Sequence, residues 1–190
     1  MTRDRCFGTG DPLYERYHDE EWGHPVKDTL DERELFERLA LEGFQAGLSW
    51  ITVLRKREAF RTAFAGFVPD TVAAFTDADV ERLMGDASIV RNRAKIMAAI
   101  GNARALVAMH DRGERLADVI AEYAPPASES GEHSPTAPGF TPESTALSKK
   151  LKGLGFRFVG PTTMQATMQA LGIADGHAPG CWLAASSPAD

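Results

Sequence analysis

The sequence consists of short segments with helical periodicity, bounded by residues that begin or end helices. In DERELFERLALEG, Leu35, Phe36, Leu39 and Ala40 are spaced to share one face of a helix that ends near Gly43. No segment shows a convincing alternation of apolar and polar residues, which is typical of a half-buried strand. The pattern predicts an all-α fold.

Capping residues predict where individual helices begin. In GDPLYERYHDEEWG, Asp11 is a candidate N-cap, Pro12 a first helical residue and Gly23 a stop. Thr76 and Asp79 form a candidate capping box in TDADVERLM. A further helix is predicted in GLSWITVLRKREAFRTAF, with Arg55, Lys56 and Arg57 facing outward. A long helix is predicted from about Arg91 to His110. Other helices are predicted in PDTVAAF, GERLADVIAEY, TPESTALSKKLKGLG and PTTMQATMQALG.

The length of 190 residues suits one compact domain, which we expect to span residues 1–190. The segment APPASESGEHSPTAPGF, about residues 124–140, is rich in Pro, Ser and Gly and predicts an exposed loop. No apolar run approaches the roughly 20 residues of a membrane helix, and the start lacks the apolar core of a secretory signal. We therefore expect a cytoplasmic protein without a membrane partner, and a monomer.

The formal net charge of −6 argues weakly against a general nucleic-acid binder. The basic residues are nevertheless grouped, because IVRNRAKIMAAIGNAR and LSKKLKGLGFRF contain no acid. These stretches predict either a basic face that holds phosphates or two solvated helix faces.

The stretch LMGDASIVRNRAKI is typical of a helix, a short turn and a second helix that opens onto basic residues. Such a hairpin can direct backbone N–H groups and the positive end of a helix at a phosphate. Any two packed helices also need a turn, and Gly85 with Asp86 supplies one. The stretch alone leaves both interpretations open.

Aromatic side chains gather near the N-terminus. Tyr14, Tyr17, His18 and Trp22 lie three and four residues apart, so they share a broad face of the predicted helix. Aromatic residues with this spacing usually belong to a core. The polar groups near them, His18 and the carboxylate of Glu42, argue against a purely structural core.

Glu42 is a carboxylate within an apolar helical stretch, close to Gly43, Phe44, Gly47 and Trp50. The glycines permit close approach of another backbone or of a ligand. A buried carboxylate needs a partner, which is either an amino group or cation of a ligand, or a neighbouring helix end or arginine. Together with the aromatic residues, the first alternative predicts a pocket that holds a flat cationic ring by stacking and cation–π attraction.

The chain has two cysteines, Cys6 and Cys181, and His177 lies four residues before the second in DGHAPGC. The spacing alone favours two buried, unmetallated cysteines. A disulfide between them is a further alternative in an oxidised chain, although a reducing compartment disfavours it.

The chain resembles the DNA-3-methyladenine glycosylase I family of the helix-hairpin-helix DNA glycosylase superfamily. The resemblance covers nearly the whole chain and rests on DPLYERYHDEEWG, LFERLALEGFQAGLSWITVLRKREAF, IVRNRAKIMAAIGNARA, LSKKLKGLGFRFVGPT and DGHAPGC, in that order. It implies a helix-hairpin-helix glycosylase fold. It also implies an enzyme that flips 3-methyladenine out of alkylated double-stranded DNA and hydrolyses its N-glycosidic bond, leaving an abasic site without a lyase step.

The resemblance further implies one structural zinc ion that joins the N-terminal segment to the C-terminal tail. The matching positions are Cys6, His18, His177 and Cys181. Two thiolates and two imidazoles suit tetrahedral zinc and leave no coordination position for water, as in structural sites.

The resemblance implies a role for each pocket residue. Glu42 matches the carboxylate that hydrogen-bonds the methylated base and is the candidate catalytic residue, whether it orients water or only binds. Trp50 matches the aromatic residue that stacks on the base, and Tyr17 a tyrosine at the other edge of the base. Tyr14 and Trp22 match further walls of the pocket.

The expected DNA contacts lie in two loops. Gly47 and Leu48 match the loop that probes the gap left in the DNA. The hairpin maps to about residues 84–91. The candidates for phosphate contact in and beside this hairpin are Ser88, Arg91 and Arg93.

Two positions depart from the family pattern. Ser88 stands where many members have glycine. A serine holds the turn if its φ is negative, but we expect its backbone to approach phosphate less closely than that of glycine. Phe44 stands where a polar residue is common, and it either changes the polarity of the pocket or packs in the core.

Three other functions compete with the glycosylase. A non-catalytic reader of alkylated DNA would use the same pocket without hydrolysis. A zinc hydrolase using His18 or His177 would need an open coordination position. A helical structural or interaction protein would use the aromatic residues as core.

Overall fold

The computed structural model describes residues 4–24, 31–126 and 139–184. Over these ranges it contains helices and no strand, which confirms the predicted all-α class for the described residues. Most of the predicted loop lies outside them, since residues 127–138 are not described. No helix in the described ranges has the length and apolar character needed to cross a bilayer.

The α-helices follow one another with short connections. In chain order they are α1 (Pro12–Glu20), α2 (Glu32–Gln45), α3 (Trp50–Leu54), α4 (Arg57–Ala63), α5 (Pro69–Ala73), α6 (Asp77–Gly85), α7 (Arg93–Asp111), α8 (Leu116–Ala121), α9 (Pro142–Gly153) and α10 (Pro161–Ala170). A 3₁₀ turn, Ala65–Phe67, lies between α4 and α5 and was not predicted from the sequence.

The helix starts agree with the predicted caps. The Asp11 carboxylate accepts hydrogen bonds from the amides of Leu13 and Tyr14 at 3.1 and 3.2 Å, and α1 begins at the proline that follows it. The Thr76 and Asp79 capping box is present at α6. These side chains satisfy amides that have no partner within the helix.

The predicted helix that carries the basic run RKR is interrupted. It divides into α3 and α4, and Arg57 at the start of α4 points inward, so the prediction that this side chain faces outward is wrong. Arg57 forms ion pairs of 2.7 Å with both Glu21 and Glu37. Glu37 is almost fully buried on α2, and a buried carboxylate requires such partners.

The boundaries of two helices differ from the prediction. α1 ends at Glu20, so Trp22 lies in the turn beyond it rather than on the same helix as Tyr17. The amides of Glu21 and Trp22 both donate to the Tyr17 carbonyl, at 3.1 and 2.8 Å, and Gly23 follows with a φ of 75°. This left-handed residue ends the helix. α7 begins two residues later than predicted, because the Asn92 side chain caps it.

The central helix is α2, which packs against α3, α7, α8 and α10. Its face of Leu35, Phe36 and Leu39 is buried, as predicted. Phe44 is buried as well, with its ring 4.6 Å from that of Phe60, so the family departure at this position is a core residue rather than part of the pocket. Each fully buried side chain of this size contributes roughly 1.5–3 kcal/mol. The core therefore fixes the last turns of α2, where Glu42 lies.

Candidate active site and metal centre

Glu42 occupies the last turns of α2 and is only 6% exposed. It forms no hydrogen bond or ion pair with the described residues. Burial raises the pKa of this carboxyl to about 8, against the opposing effect of the Arg38 guanidinium one turn earlier. Without a ligand, the carboxyl is therefore largely protonated at neutral pH, whereas an ordinary glutamate is ionised.

Two aromatic side chains from different elements meet beside Glu42. Tyr17 on α1 is buried, and its ring centroid lies 5.3 Å from that of Trp50 at the start of α3. Burial raises the pKa of Tyr17 well above its usual value, and the charge of Glu42 adds to this shift. Burial and the same carboxylate also raise the pKa of Tyr14, so these groups share one electrostatic environment. The indole Nε1 of Trp50 is buried and has no acceptor within residues 4–24, 31–126 and 139–184.

Phe7 joins this pocket to the chain ends, and the sequence interpretation missed it. Its ring centroid lies 4.7 Å from that of Tyr14, 5.0 Å from that of His18 and 4.9 Å from that of Trp22. The only signal in the sequence is its position directly after Cys6. Because Phe7 contacts both groups of side chains, the N-terminal segment must be held in place for the pocket wall to keep its shape.

The four residues predicted as metal ligands do come together. One ligand atom from each of Cys6, His18, His177 and Cys181 lies within 4.8 Å of the others. The Cys181 sulfur lies 3.4 Å from His18 Nε2 and 3.6 Å from His177 Nδ1, and the Cys6 sulfur lies 3.6 Å from His177 Nδ1. Burial raises the pKa of the Cys6 thiol to about 11, so two thiolates at this place require a neighbouring cation.

A second layer of contacts, not predicted from the sequence, fixes the orientation of His18. Its Nδ1 lies 2.9 Å from a carboxylate oxygen of Asp19. Arg5 donates two hydrogen bonds to the same carboxylate, at 2.8 and 2.7 Å, and the Trp182 indole donates a third at 3.2 Å. The Arg5 guanidinium holds the pKa of Asp19 well below its usual range. The ionised carboxylate thereby directs His18 Nε2 toward the sulfur atoms.

At Gly23 and Gly176 the backbone lies too close to neighbouring side chains to admit a Cβ. A Cβ on Gly23 would lie 2.6 Å from His177 Nε2, and a Cβ on Gly176 would lie 2.7 Å from the Trp22 ring. The Trp22 ring centroid lies 4.7 Å from that of His177 and 5.9 Å from that of His18. Trp22 therefore packs against the predicted metal ligands, and it reaches the pocket wall through Phe7.

The predicted helix-turn-helix is formed by α6, residues 86–92 and α7. Ser88 does not have a positive φ, so the serine is compatible with the turn. Its amide donates to the Asp86 carboxylate at 2.8 Å, and Lys56 Nζ donates to the carbonyls of Ala87 and Ser88 at 3.2 and 2.9 Å. The turn is thus held by local hydrogen bonds and by a lysine from the α3–α4 connection.

The other predicted DNA-contact residues lie at the surface. Gly47 has a φ of 81° and a Cβ there would contact nothing within 4 Å, so its role is conformational rather than steric. Leu48 beside it is 41% exposed. Arg91 is exposed, whereas Arg93 is paired with Glu81 on α6 at 2.8 Å.

Comparison with known proteins gives one family. The model of the methyladenine glycosylase family matches residues 7–184. The chain is 48% identical over 188 residues to DNA-3-methyladenine glycosylase 1 of Escherichia coli (strain K12), covering 94% of this chain and 95% of that protein. It is 43% identical over 187 residues to the DNA-3-methyladenine glycosylase of Haemophilus influenzae, covering 93% and 96%.

A solved structure agrees with these sequences. The crystal structure of a 3-methyladenine DNA glycosylase I superposes with a TM-score of 0.84 at 45% identity, over 95% of this chain and 99% of that one. The helical fold is accordingly that of a DNA repair glycosylase. The chain belongs to the methyladenine glycosylase family.

Proposed function

We propose that the protein excises 3-methyladenine from alkylated double-stranded DNA by hydrolysing the N-glycosidic bond, leaving an abasic site. The observation that carries this proposal is the buried, unpaired carboxyl of Glu42 beside Tyr17 and Trp50. The relatives from Escherichia coli and Haemophilus influenzae are both DNA-3-methyladenine glycosylases.

Glu42 is proposed to select the charge of the base. Methylation at N3 leaves adenine in DNA with a positive charge, and a cation beside Glu42 lowers the pKa of the carboxyl from about 8. The ionised carboxylate then accepts a hydrogen bond from the exocyclic amine. Neutral adenine brings no compensating charge, so it would leave Glu42 either protonated or as an uncompensated buried anion.

The aromatic side chains are proposed to fix the plane of the base. The Tyr17 and Trp50 rings are already in contact at 5.3 Å, so a base does not fit between them. The base instead stacks on a free face of Trp50 with Tyr17 at its edge. Tyr14 completes the wall, and Trp22 supports it through Phe7.

The chemical step needs little catalytic assistance from the protein, because the departing base becomes neutral when its bond to the sugar breaks. Binding the cation does not by itself lower the barrier. We therefore assign Glu42 a second role, the electrostatic stabilisation of the positive charge that moves to the deoxyribose as the bond breaks. No lysine is assigned to a covalent step.

The cluster of Cys6, His18, His177 and Cys181 is proposed to hold a structural zinc ion. Zinc bond lengths of about 2.3 Å to sulfur and 2.0–2.1 Å to nitrogen place tetrahedral S and N ligands roughly 3.5 Å apart. The S···N distances of 3.4–3.6 Å fit this geometry. Four protein ligands leave no position for a reactive water, so the same donor set disfavours a zinc hydrolase.

DNA contacts are proposed for the helix-hairpin-helix turn with Ser88, for Arg91 and Arg93, and for the loop of Gly47 and Leu48. Support comes from their exposure and from the positive φ of Gly47. The Ser88 amide is already bonded to Asp86, so a phosphate there displaces the carboxylate or contacts neighbouring atoms. Binding should weaken steeply with salt despite the net charge of −6.

The monomeric state of the protein stays a prediction from the sequence. Its location in the cytoplasm stays a prediction from the sequence.

The direct test is the release of free bases from methylated duplex DNA by the purified, zinc-loaded protein, resolved by chromatography. We expect 3-methyladenine to be released and 7-methylguanine to remain in the DNA. If the folded protein binds alkylated DNA but releases no base, the enzyme proposal fails and the non-catalytic reader replaces it.

A further inference from the structure

Phe158 lies in the connection between α9 and α10 in a conformation that a phenylalanine rarely adopts. Its φ is 55°, in the left-handed region that favours glycine, and its side chain is 39% exposed. A bulky residue at positive φ is strained, and it persists only where surrounding contacts hold it. Neither the strain nor the exposure of this large ring contributes to folding.

The contacts that hold Phe158 come from a buried asparagine. Asn102 on α7 accepts a hydrogen bond from the Arg157 amide at 2.7 Å and donates one to the Arg157 carbonyl at 3.0 Å. The Asn102 side chain is buried, and both its oxygen and its nitrogen are used on this one backbone unit. The clamp fixes the residue immediately before Phe158 and so maintains the strained conformation.

The Phe158 backbone and Cβ lie against Gly43, the residue after Glu42 near the C-terminal end of α2. A Cβ on Gly43 would lie 3.5 Å from the Phe158 Cβ, so the glycine admits the close approach. Lys95 Nζ donates to the carbonyls of Phe44 and Ala46, which closes the end of the same helix. Phe158 and the exposed Leu48 thus both lie near the C-terminal end of α2. The two hydrogen bonds from Lys95 fix the position of this helix end.

The cation next to Phe158 in the chain has no carboxylate partner among the described residues. Arg157 is exposed and forms no ion pair with them, and the same holds for Lys149 and Lys152 on α9. By contrast, arginines elsewhere, such as Arg57 and Arg61, are neutralised by carboxylates. An exposed apolar ring beside an unpaired arginine is complementary to DNA, where bases lie between two rows of phosphates.

We propose that Phe158 is a wedge, additional to the loop of Gly47 and Leu48, that enters the duplex at the lesion and occupies stacking space vacated when the damaged nucleotide leaves the helix. This inference rests on the proposed function. Extruding a nucleotide breaks its stacking, and apolar side chains inserted between base steps offset part of that cost. Because Asn102 holds the backbone beside Phe158 before binding, that backbone needs no ordering when DNA arrives.

The test compares Phe158→Gly and Phe158→Leu with Phe140→Ala, a control at another exposed phenylalanine. Glycine accepts the φ of 55°, so Phe158→Gly removes the ring without imposing backbone strain. Affinity is measured for a duplex with one tetrahydrofuran abasic-site analogue and a neighbouring 2-aminopurine, whose fluorescence reports stacking. Binding of free 3-methyladenine and the melting temperature are measured on the same proteins.

We expect Phe158→Gly to bind the abasic duplex about 10- to 100-fold more weakly, to lose the 2-aminopurine response, and to retain its melting temperature and its binding of free 3-methyladenine. Phe158→Leu should lose less, and Phe140→Ala should match the wild type. Unchanged duplex affinity in Phe158→Gly would overturn the proposal, as would a parallel loss of melting temperature and base binding. If the wild type itself releases no base from methylated DNA, the proposed function fails, whereas the abasic-duplex comparison still decides the role of Phe158.

Discussion

The pocket around Glu42 and the cluster of cysteines and histidines are both built from buried polar groups, yet they are completed in opposite ways. In the pocket, neither the Glu42 carboxyl nor the Trp50 indole N–H has a hydrogen-bond partner among the described residues. In the cluster, His18 is held by Asp19, and the Cys6 sulfur accepts a hydrogen bond from the Ala178 amide at 3.1 Å. The pocket leaves its polar groups for a ligand, whereas the cluster orients its groups around one central point.

Buried polar groups without a partner and buried polar groups with one serve different purposes in the two regions. An unsatisfied buried group destabilises the free protein, so it is retained where a transient ligand satisfies it. A cluster whose side chains are fixed by outer contacts suits an ion that stays bound. Phe7 contacts residues of both regions, so losing the cluster should disturb the pocket, while changing the pocket should leave the cluster intact.

Removal of the proposed zinc ion should have the largest effect. Structural zinc contributes roughly 10 kcal/mol in zinc-finger peptides at neutral pH, so Cys181→Ser or a strong chelator should destabilise this protein more than any single change in the pocket. Thermal denaturation with metal analysis measures the effect. A chelated, zinc-free protein that melts at the wild-type temperature would rule out a structural ion.

The charge of Glu42 should make stability depend on pH in the direction opposite to an ion-paired carboxylate. The unfolded chain releases this proton near pH 4.5 and the folded protein near pH 8, so stability falls as pH rises between these values. At about 1.4 kcal/mol per pKa unit, the full loss is on the order of 5 kcal/mol. Glu42→Gln cannot ionise, so it should match the wild type at pH 5 and be the more stable protein at pH 8.5 in denaturant titrations. A constant difference across that range would contradict the raised pKa.

Asp19→Asn should weaken the cluster without removing a ligand. The amide loses the charge that fixes the His18 tautomer, and outer carboxylates of this kind are worth about 10- to 100-fold in metal affinity. Competition with a chromophoric chelator measures zinc affinity directly. Glu15→Gln is a suitable control, because Glu15 also lies near Arg5, at 3.4 Å, but does not contact a ligand. Equal zinc affinity in both variants would show that Asp19 does not orient His18.

Trp50→Phe should have the smallest effect. A phenyl ring keeps most of the stacking surface but has no N–H, so we expect excision to slow by a few-fold, compared with about tenfold or more for Trp50→Ala. Single-turnover kinetics on methylated duplex DNA separate the two variants. If Trp50→Phe is as slow as Trp50→Ala, the buried indole N–H matters more than the ring surface.

Local signals allowed much of the fold to be predicted. The caps at Asp11 and Thr76 act within one turn, so the sequence reveals them directly. The inward position of Arg57 was not foreseeable, because it depends on Glu37 and Glu21 arriving from other segments. Tertiary pairing therefore decided the orientation of a side chain that its own sequence neighbourhood predicted to be exposed.

The candidate site shows the same division. The family resemblance predicted that Cys6 and Cys181 lie close together, although no local pattern relates positions 175 residues apart. It did not reveal Asp19 or Phe7, whose contacts follow from the closing of the chain ends. Nor did it reveal Phe158, since a positive φ at phenylalanine opposes the local preference and is imposed by Asn102.

The separation of the two regions is tested most directly by the single-turnover rate of 3-methyladenine release by Glu42→Gln, measured with its zinc content and melting temperature. We predict a folded protein with a full complement of zinc and a rate at least about 100-fold below the wild type, the usual scale for one lost electrostatic contact in the transition state. Release at the wild-type rate by the folded, zinc-loaded variant would contradict this prediction.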